Sequence, residues 1–203
     1  MEKIDFKKEL KYLYNPSKKE CAVVDVPTMQ FLMVDGEGDP NTAESYTEAI
    51  GVLYAVAYTL KFMIKLGPQA VNFAVMPLEG LWWVDDMSLF SEEDKSAWQW
   101  TAMIMQPEFV TGDLFEEARQ QVEEKKGIPG LDRLRLAEHD EGRAAQIMHI
   151  GPYADEAPTI RGLHAFIGEQ GGSLKGKHHE IYLSDPRRSA PEKLKTVIRQ
   201  PFV

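Results

Sequence analysis

The most constraining feature of this sequence is one order of predicted secondary structure that occurs twice. In each occurrence a strand ends in a glycine turn, an amphipathic helix follows, and two further strands come after the helix. The first unit comprises residues 28–34, 43–66, 70–76 and 81–84, and the second comprises residues 143–150, 156–169, 178–184 and 195–202. The units share this order rather than sequence identity. A recurring order predicts that two copies of one motif pack together.

The mixture of helices and strands predicts an α+β fold, formed as a single domain over residues 1–203. We expect repeat one at about residues 22–107, repeat two at about residues 131–203, and a linker helix at about residues 111–126. Two such units usually pack their helices on one side, here around a pseudo-two-fold axis. The ligand cleft is then expected between the two sheets, on the other side.

Helix and turn signals set the boundaries of the first unit. Apolar residues recur at three-to-four spacing along the long helix, at Tyr46, Ile50, Leu53, Tyr54, Ala57, Leu60 and Ile64. The tetrapeptide Pro77-Leu78-Glu79-Gly80 is typical of a turn and predicts a hairpin between residues 70–76 and 81–84. Residues 2–13 are expected to form a short charged helix.

Composition restricts the partners of the chain. The 23 basic and 32 acidic side chains leave a formal charge of −9. This charge argues against attraction of the whole surface to nucleic acid or anionic lipid and favours neutral or cationic ligands. We expect no nucleic-acid partner, no membrane partner, and a monomer or homodimer. Cys21 is the only cysteine, so no intrachain disulfide can form and a reducing compartment fits.

The sequence predicts neither export nor membrane insertion. Residues 1–5 lack the apolar core of a signal peptide. The longest mostly apolar stretch, Ala49–Leu60, is too short to span a bilayer. We therefore expect a cytoplasmic protein.

The strand predicted at residues 178–184 carries the clearest candidate for chemistry. Strand side chains alternate between faces, so His178, Glu180 and Tyr182 share one face while Ile181 and Leu183 share the other. If the apolar pair packs under helices, Glu180 points to the opposite side of the sheet. Beside aromatic walls a carboxylate gains proton affinity through desolvation, which suits a general base, a general acid or a counter-ion. The alternative is an ordinary exposed strand glutamate.

Tryptophan is concentrated near one pair of predicted strands, at Trp82, Trp83, Trp98 and Trp100. Trp82 and Trp83 are adjacent, so they face opposite sides of their strand and at least one is expected to leave the core. A flat or cationic ligand held between such rings gains about 0.5 to 2 kcal/mol per good contact. The alternative is a tryptophan-rich core.

Other kinds of site find little support. His178 and His179 diverge from a strand and cannot easily share one ion, so we expect no metal and no cofactor. No serine lies in a Gly-x-Ser-x-Gly context, which argues against a serine hydrolase.

Several sequence blocks together resemble the GyrI-like small-molecule-binding proteins, and more narrowly their stand-alone bacterial subfamily of about this length. The blocks are residues 76–83, 98–107, 149–153, 177–188 and 190–195. The resemblance covers nearly the whole chain. It implies a tandem strand–helix–strand–strand fold with a ligand cleft on its axis, and Glu180 matches the strand glutamate with which relatives bind flat or cationic drugs.

The subfamily is also implied to include hydrolases that open the cyclopropane of duocarmycin-type DNA alkylators within an aromatic cage. On this hypothesis Glu180 orients or deprotonates the attacking water, and Tyr153 or Tyr182 donates a proton to the developing phenolate. The ligand-binding candidates are Tyr54, Trp82, Trp83, Trp100, Met105 and His149.

Two alternatives stay open at this stage. The same pocket could sequester or sense a cationic aromatic drug without turnover. Haem binding, as in distant relatives of the fold, has only His149, His178 and His179 to offer.

Overall fold

The computed structural model describes residues 2–87 and 95–203. The strands are β1 (Glu2–Ile4), β2 (Ala22–Val26), β3 (Met29–Glu37), β4 (Val71–Phe73), β5 (Leu78–Trp83), β6 (Gln99–Gln106), β7 (Arg135–His139), β8 (Gly142–Ile150), β9 (His178–Tyr182) and β10 (Lys195–Pro201). The α-helices are α1 (Phe6–Glu9), α2 (Lys11–Tyr14), α3 (Glu44–Leu66), α4 (Gly112–Lys126) and α5 (Ala157–Glu169).

Eight of these strands form one antiparallel sheet in the order β2-β8-β10-β9-β5-β6-β3-β7, and β1 pairs with β4 in a separate parallel ribbon. The predicted α+β class is confirmed. The strands of the two predicted units are continuous across the β5–β9 pair, so one sheet stands where two sheets with a cleft between them were expected. The division into two repeats stays a prediction.

Helices α3 and α5 lie on the same face of the sheet. Ile198 of β10 packs in a cluster with Ile160 and Leu163 of α5, and Ile198 lies directly opposite Glu180 across the β9–β10 ladder. Tyr46 of α3 packs against the ring of Trp100 on β6, with the ring centroids 4.9 Å apart. The face that carries Glu180 is therefore the helix-covered face, whereas the sequence-based prediction placed the ligand cleft on the side away from the helices.

The first predicted hairpin is wrong. Residues 78–80 belong to β5 rather than to a turn, and β4 pairs with the amino-terminal β1 instead of with β5. Glycine suits position 80 of this strand because the Trp82 indole occupies the space that a side chain would fill. The amino-terminal residues also differ from the prediction, since β1 and two single-turn helices replace one helix.

Helix α3 is long and apolar enough to meet the length and composition criteria for a membrane-spanning helix, although 39% of its most apolar window is buried inside the fold. The sequence-based prediction concerns the shorter apolar stretch Ala49–Leu60. The buried side of α3, which includes Val52, Leu53 and Leu60, packs into the main core. Such packing is typical of a core helix.

A buried ionic network lies on the opposite face of the same central strands. The two imidazole nitrogens of His179 contact Glu141 Oε1 at 2.8 Å and Glu79 Oε2 at 2.9 Å. Arg199 Nη1 donates to Glu141 Oε2 at 3.1 Å, and the Tyr14 hydroxyl of α2 donates to Glu79 Oε1 at 2.7 Å. We call these five residues the buried network. It fastens α2 to the sheet and cross-links β5 and β9 behind Glu180.

The charges of the buried network compensate one another. Burial alone would lower the pKa of His179, but Glu141 and Glu79 raise it to about 9. Burial likewise opposes ionisation of Glu141, and His179 with Arg199 outweigh it and lower the pKa of Glu141 to about 2. A buried ion group persists only when every member is paired in this way.

Candidate active site

The floor of the candidate site is formed where β5 and β9 pair. Gly80 lies opposite Glu180, and Trp82 lies opposite His178. Glu180 accepts a hydrogen bond from the Tyr182 hydroxyl at Oε2 (2.7 Å), and His178 Nε2 lies 3.1 Å from its Oε1. Glu180 is only 9% exposed. Both carboxylate oxygens are thus held by neighbours of the same strand, as the alternation of side chains predicts.

Trp82 extends this hydrogen-bond chain from the adjacent strand. Its indole Nε1 donates to the Tyr182 hydroxyl over 3.1 Å, so the chain runs from Trp82 through Tyr182 to Glu180. Gly80 makes the arrangement possible, because a Cβ at this position would lie 2.6 Å from Trp82 Nε1. Trp82 therefore orients Glu180 through Tyr182, and it can do so because Gly80 has no side chain to displace the indole.

Aromatic rings surround this chain on both sides. Trp82 packs against Trp98 with centroids 5.4 Å apart and against Tyr46 of α3 at 5.6 Å. On the α5 side, Tyr153 packs edge-on against Tyr182 at 5.5 Å. Tyr153 remains 38% exposed, whereas Trp82 and Trp98 are buried. The carboxylate is therefore enclosed by ring surfaces, which are suited to contact with a flat ligand.

The ionisation of Glu180 differs from the sequence-based expectation. Desolvation does raise its pKa, as predicted, but hydrogen bonding and attraction from His178, the hydrogen bond from Tyr182 and the charge of Lys95 outweigh it, so the pKa is lowered. Glu180 is consequently an anion near neutral pH. It can accept a proton or attract a cation, and it is poorly suited to act as the initial proton donor.

Tyr182 and Tyr153, in contrast, have raised pKa values. Burial, followed by the charge of Glu180, raises the pKa of Tyr182 well above its usual value. Burial, together with Glu156 and Glu180, raises the pKa of Tyr153 to about 12. Both hydroxyls are therefore protonated at neutral pH and can donate hydrogen bonds, which completes a set of one base and two donors.

The predicted site residues fall into two groups. On the helix-covered face lie Glu180, Tyr182, Trp82, Trp100, Tyr153, Tyr54 and His149. Trp83 lies on the opposite face by strand alternation, where the ammonium of Lys177 is 3.3 Å from its ring centroid. Met105 shares that face, because it alternates with Ile104 and Trp100 along β6. Trp83 and Met105 are therefore not brought together with Glu180.

Three of the residues on the helix-covered face, Trp100, His149 and Tyr54, make their described contacts with residues other than Glu180. Trp100 is fully buried beneath Tyr46 and supports the wall rather than presenting a surface. The His149 imidazole is bound by Thr159 and by the carbonyl of Pro152. Tyr54 lines a groove of about 720 Å³ along α3 and α4.

Sequence reasoning missed three residues that complete the site. His178, which alternation along β9 places on the same face as Glu180, is predicted above only as a possible metal or haem ligand. Tyr46 is predicted as part of the apolar stripe of α3, and Trp98 is absent from the predicted ligand-binding residues. In the described part of the chain, no group of three or more histidine, cysteine or acidic side chains is arranged to hold a metal ion.

Replacing Gly80 by alanine is expected to displace the Trp82 indole and break its bond to Tyr182. We expect the free energy of unfolding to fall by about 1 to 3 kcal/mol, because the new methyl group overpacks this contact. Chemical denaturation and near-ultraviolet circular dichroism measure both effects. Gly162→Ala is the matched control, since nothing lies within 4 Å of its Cβ position on α5. Wild-type stability and an unchanged aromatic spectrum in Gly80→Ala would contradict this description of the floor.

Comparisons with known proteins agree with the fold. The model of the GyrI-like small molecule binding domain matches residues 19–202, which confirms the resemblance found in the sequence. The crystal structure of an uncharacterized conserved protein from Listeria innocua is 43% identical, with a TM-score of 0.91 over 98% of this chain and 100% of that chain. A hydrolase from Listeria innocua is 42% identical, with a TM-score of 0.89 over the full length of both chains.

A more distant structure shows the fold alone. The C-terminal domain of EcmrR is 12% identical and has a TM-score of 0.56 over 91% of this chain and 97% of that domain. No curated protein matches the sequence significantly.

Proposed function

The chain belongs to the family of GyrI-like small-molecule-binding domains, and on this premise we propose that it is a hydrolase that opens the cyclopropane of duocarmycin-type DNA alkylators by adding water. The observation that carries the proposal is the ionised, buried Glu180 held within aromatic walls beside two protonated tyrosines. The Listeria innocua relative described as a hydrolase, at 42% identity over the whole chain, supports an enzymatic role.

Ring surfaces would bind the substrate. A planar spirocyclopropyl dienone would stack on these aromatic walls, and Tyr153 is the most exposed of their rings. Tyr54 lines the separate groove along α3 and α4 and is not needed for this wall. Confinement of an electrophile next to a placed water supplies much of the rate enhancement, because the reaction becomes effectively unimolecular.

The chemistry follows from the ionisation states. Glu180 accepts a proton from a water molecule while the water oxygen bonds to the cyclopropane methylene carbon. The strained carbon–carbon bond breaks, and its electron pair moves into the ring system, which becomes aromatic and places negative charge on the former dienone oxygen. Tyr153 or Tyr182 gives a proton to that oxygen. Where Tyr182 is the proton donor, the proton that Glu180 has taken from water moves along the 2.7 Å Tyr182–Glu180 hydrogen bond and restores the Tyr182 hydroxyl.

A second candidate function has its own support. An anionic carboxylate among aromatic rings is also the arrangement that binds cationic aromatic compounds, so the protein could sequester or sense such compounds without turnover. Abolition of dye binding by Glu180→Ala, with no change in any electrophile, would favour this function over hydrolysis.

The setting of the protein is part of the same proposal. A detoxifying role is consistent with a cytoplasmic protein that acts as a monomer or homodimer on small planar or cationic aromatic ligands, without nucleic-acid or membrane partners. The single half-buried Cys21 is compatible with a reducing compartment.

Mass spectrometry tests the proposed reaction directly. The pure protein is incubated with a cyclopropane-containing duocarmycin-type compound at substrate excess. A protein-dependent gain of one water over many turnovers is the expected result. Tight binding with an unchanged ligand mass would identify a sequestering protein, and neither turnover nor binding would reject the proposed hydrolase.

A further inference from the structure

One positive charge of the chain stands at the rim of the candidate site. The ammonium of Lys95 lies 4.7 Å from the ring centroid of Trp98, and Trp98 packs on Trp82 at 5.4 Å. Trp82 in turn reaches Glu180 through the hydroxyl of Tyr182. Lys95 is therefore connected to the Glu180 carboxylate through two packed tryptophans and two hydrogen bonds.

This position has an electrostatic consequence for any ligand. A cation held over an aromatic face occupies the surface that a cationic ligand would use, and it also repels that ligand. Lys95 attracts the Glu180 carboxylate as well, and this attraction contributes to the lowered pKa of Glu180. The site thus already contains a tethered cation that partly satisfies its anion.

The same charge has the opposite effect on a neutral substrate that becomes anionic. When the cyclopropane opens, negative charge develops on the former dienone oxygen, and the positive charge of Lys95 attracts it more in the transition state than in the ground state. Lys95 consequently separates the two candidate functions, because it helps one type of ligand and opposes the other.

We propose that Lys95 is the specificity-determining residue of this site: its ammonium, fixed over Trp98, selects neutral aromatic substrates that develop an anionic oxygen and disfavours cationic aromatic ligands. The expected effect of Lys95 on turnover rests on the proposed hydrolase function. The discrimination against cations depends on the aromatic site and the ammonium, whether or not turnover occurs.

The test replaces Lys95 by methionine, which keeps an unbranched apolar chain and removes the charge, and by arginine, which restores the charge. Ethidium binding, followed by fluorescence, is expected to tighten about 5- to 10-fold in Lys95→Met and to return toward wild type in Lys95→Arg. The kcat/KM for the cyclopropane compound is expected to fall about 10-fold or more in Lys95→Met, mainly through kcat.

Lys61→Met is the matched control, because Lys61 also lies over aromatic rings, 6.0 Å from Tyr58 and 5.8 Å from Phe62, but these rings belong to the outer side of α3. It should change neither measurement more than twofold. Ethidium affinity in Lys95→Met that stays within twofold of wild type, or no ethidium binding by either protein, overturns the proposal. Absence of turnover in the wild-type protein with tighter ethidium binding in Lys95→Met would reject the hydrolase and retain the role of Lys95 in discriminating against cations.

Discussion

Replacing Glu180 by glutamine is expected to lower turnover of the cyclopropane compound by about 10²- to 10⁴-fold, the usual contribution of a positioned general base. Glutamine keeps the size of the side chain and can still accept a hydrogen bond from Tyr182, but it cannot take a proton from water. Because the aromatic walls are unchanged, the affinity for the neutral substrate should stay within a few-fold. Single-turnover rates measured by mass spectrometry, together with ligand titration, separate the two quantities.

Two further variants define the specificity of this result. Glu138→Gln removes a carboxylate from an exposed position on β7 and should leave turnover unchanged. Tyr182→Phe removes a donor to Glu180 and should have an intermediate effect, because Tyr153 remains as a proton donor. Wild-type turnover in Glu180→Gln would remove Glu180 from the chemistry, and a loss of affinity equal to the loss of turnover would assign it to binding instead.

Replacing Glu141 by glutamine is expected to lower the free energy of unfolding by about 3 to 5 kcal/mol at pH 7, the typical cost of breaking a buried ion pair from one side. Glu141 is the shared partner of His179 and Arg199, and all three side chains are 1% exposed. The variant leaves two buried cations with only Glu79 as an acidic partner. Urea denaturation measures the loss, and Asp25→Asn at an exposed position on β2 is the control.

The same network predicts how stability depends on pH. The pKa of His179 is raised from an ordinary 6.5 to about 9, so its stabilisation is complete below pH 6.5 and is lost as the pH rises through 9. The pKa of Glu141 is lowered from 4.5 to about 2, so its stabilisation is complete above pH 4.5 and is lost as the pH falls through 2. The network is therefore most stabilising between about pH 4.5 and 6.5.

Unfolding measured at pH 6 and pH 9.5 tests this dependence. Wild-type protein should lose roughly 3 kcal/mol of the His179 contribution between these values, and Glu141→Gln should lose clearly less. Equal pH dependence in both proteins would show that His179 does not titrate with a raised pKa through Glu141.

The sequence determined the features that depend on neighbouring residues. Helix α4 (Gly112–Lys126) lies within one residue of the predicted linker helix at about residues 111–126, and α3 differs from its prediction by a single residue at its start. Side-chain alternation along β9 correctly placed His178, Glu180 and Tyr182 on one face. Alternation also separated Trp82 from Trp83, of which only Trp83 leaves the core. These outcomes follow from the periods of helix and strand, which are properties of the local backbone.

Which surfaces meet depends on the packing of elements that are far apart in the chain. The sequence could not show that helices cover the face of Glu180, because that depends on packing between β10 and α5. Nor could it show that Glu79, Glu141, His179 and Arg199 join behind the site, since these residues come from strands and a turn far apart in the chain. The pKa of Glu180 was decided in the same way. Burial alone predicts a raised value, and the hydrogen bonds that lower it depend on the side-chain geometry that the pairing of β5 with β9 holds in place.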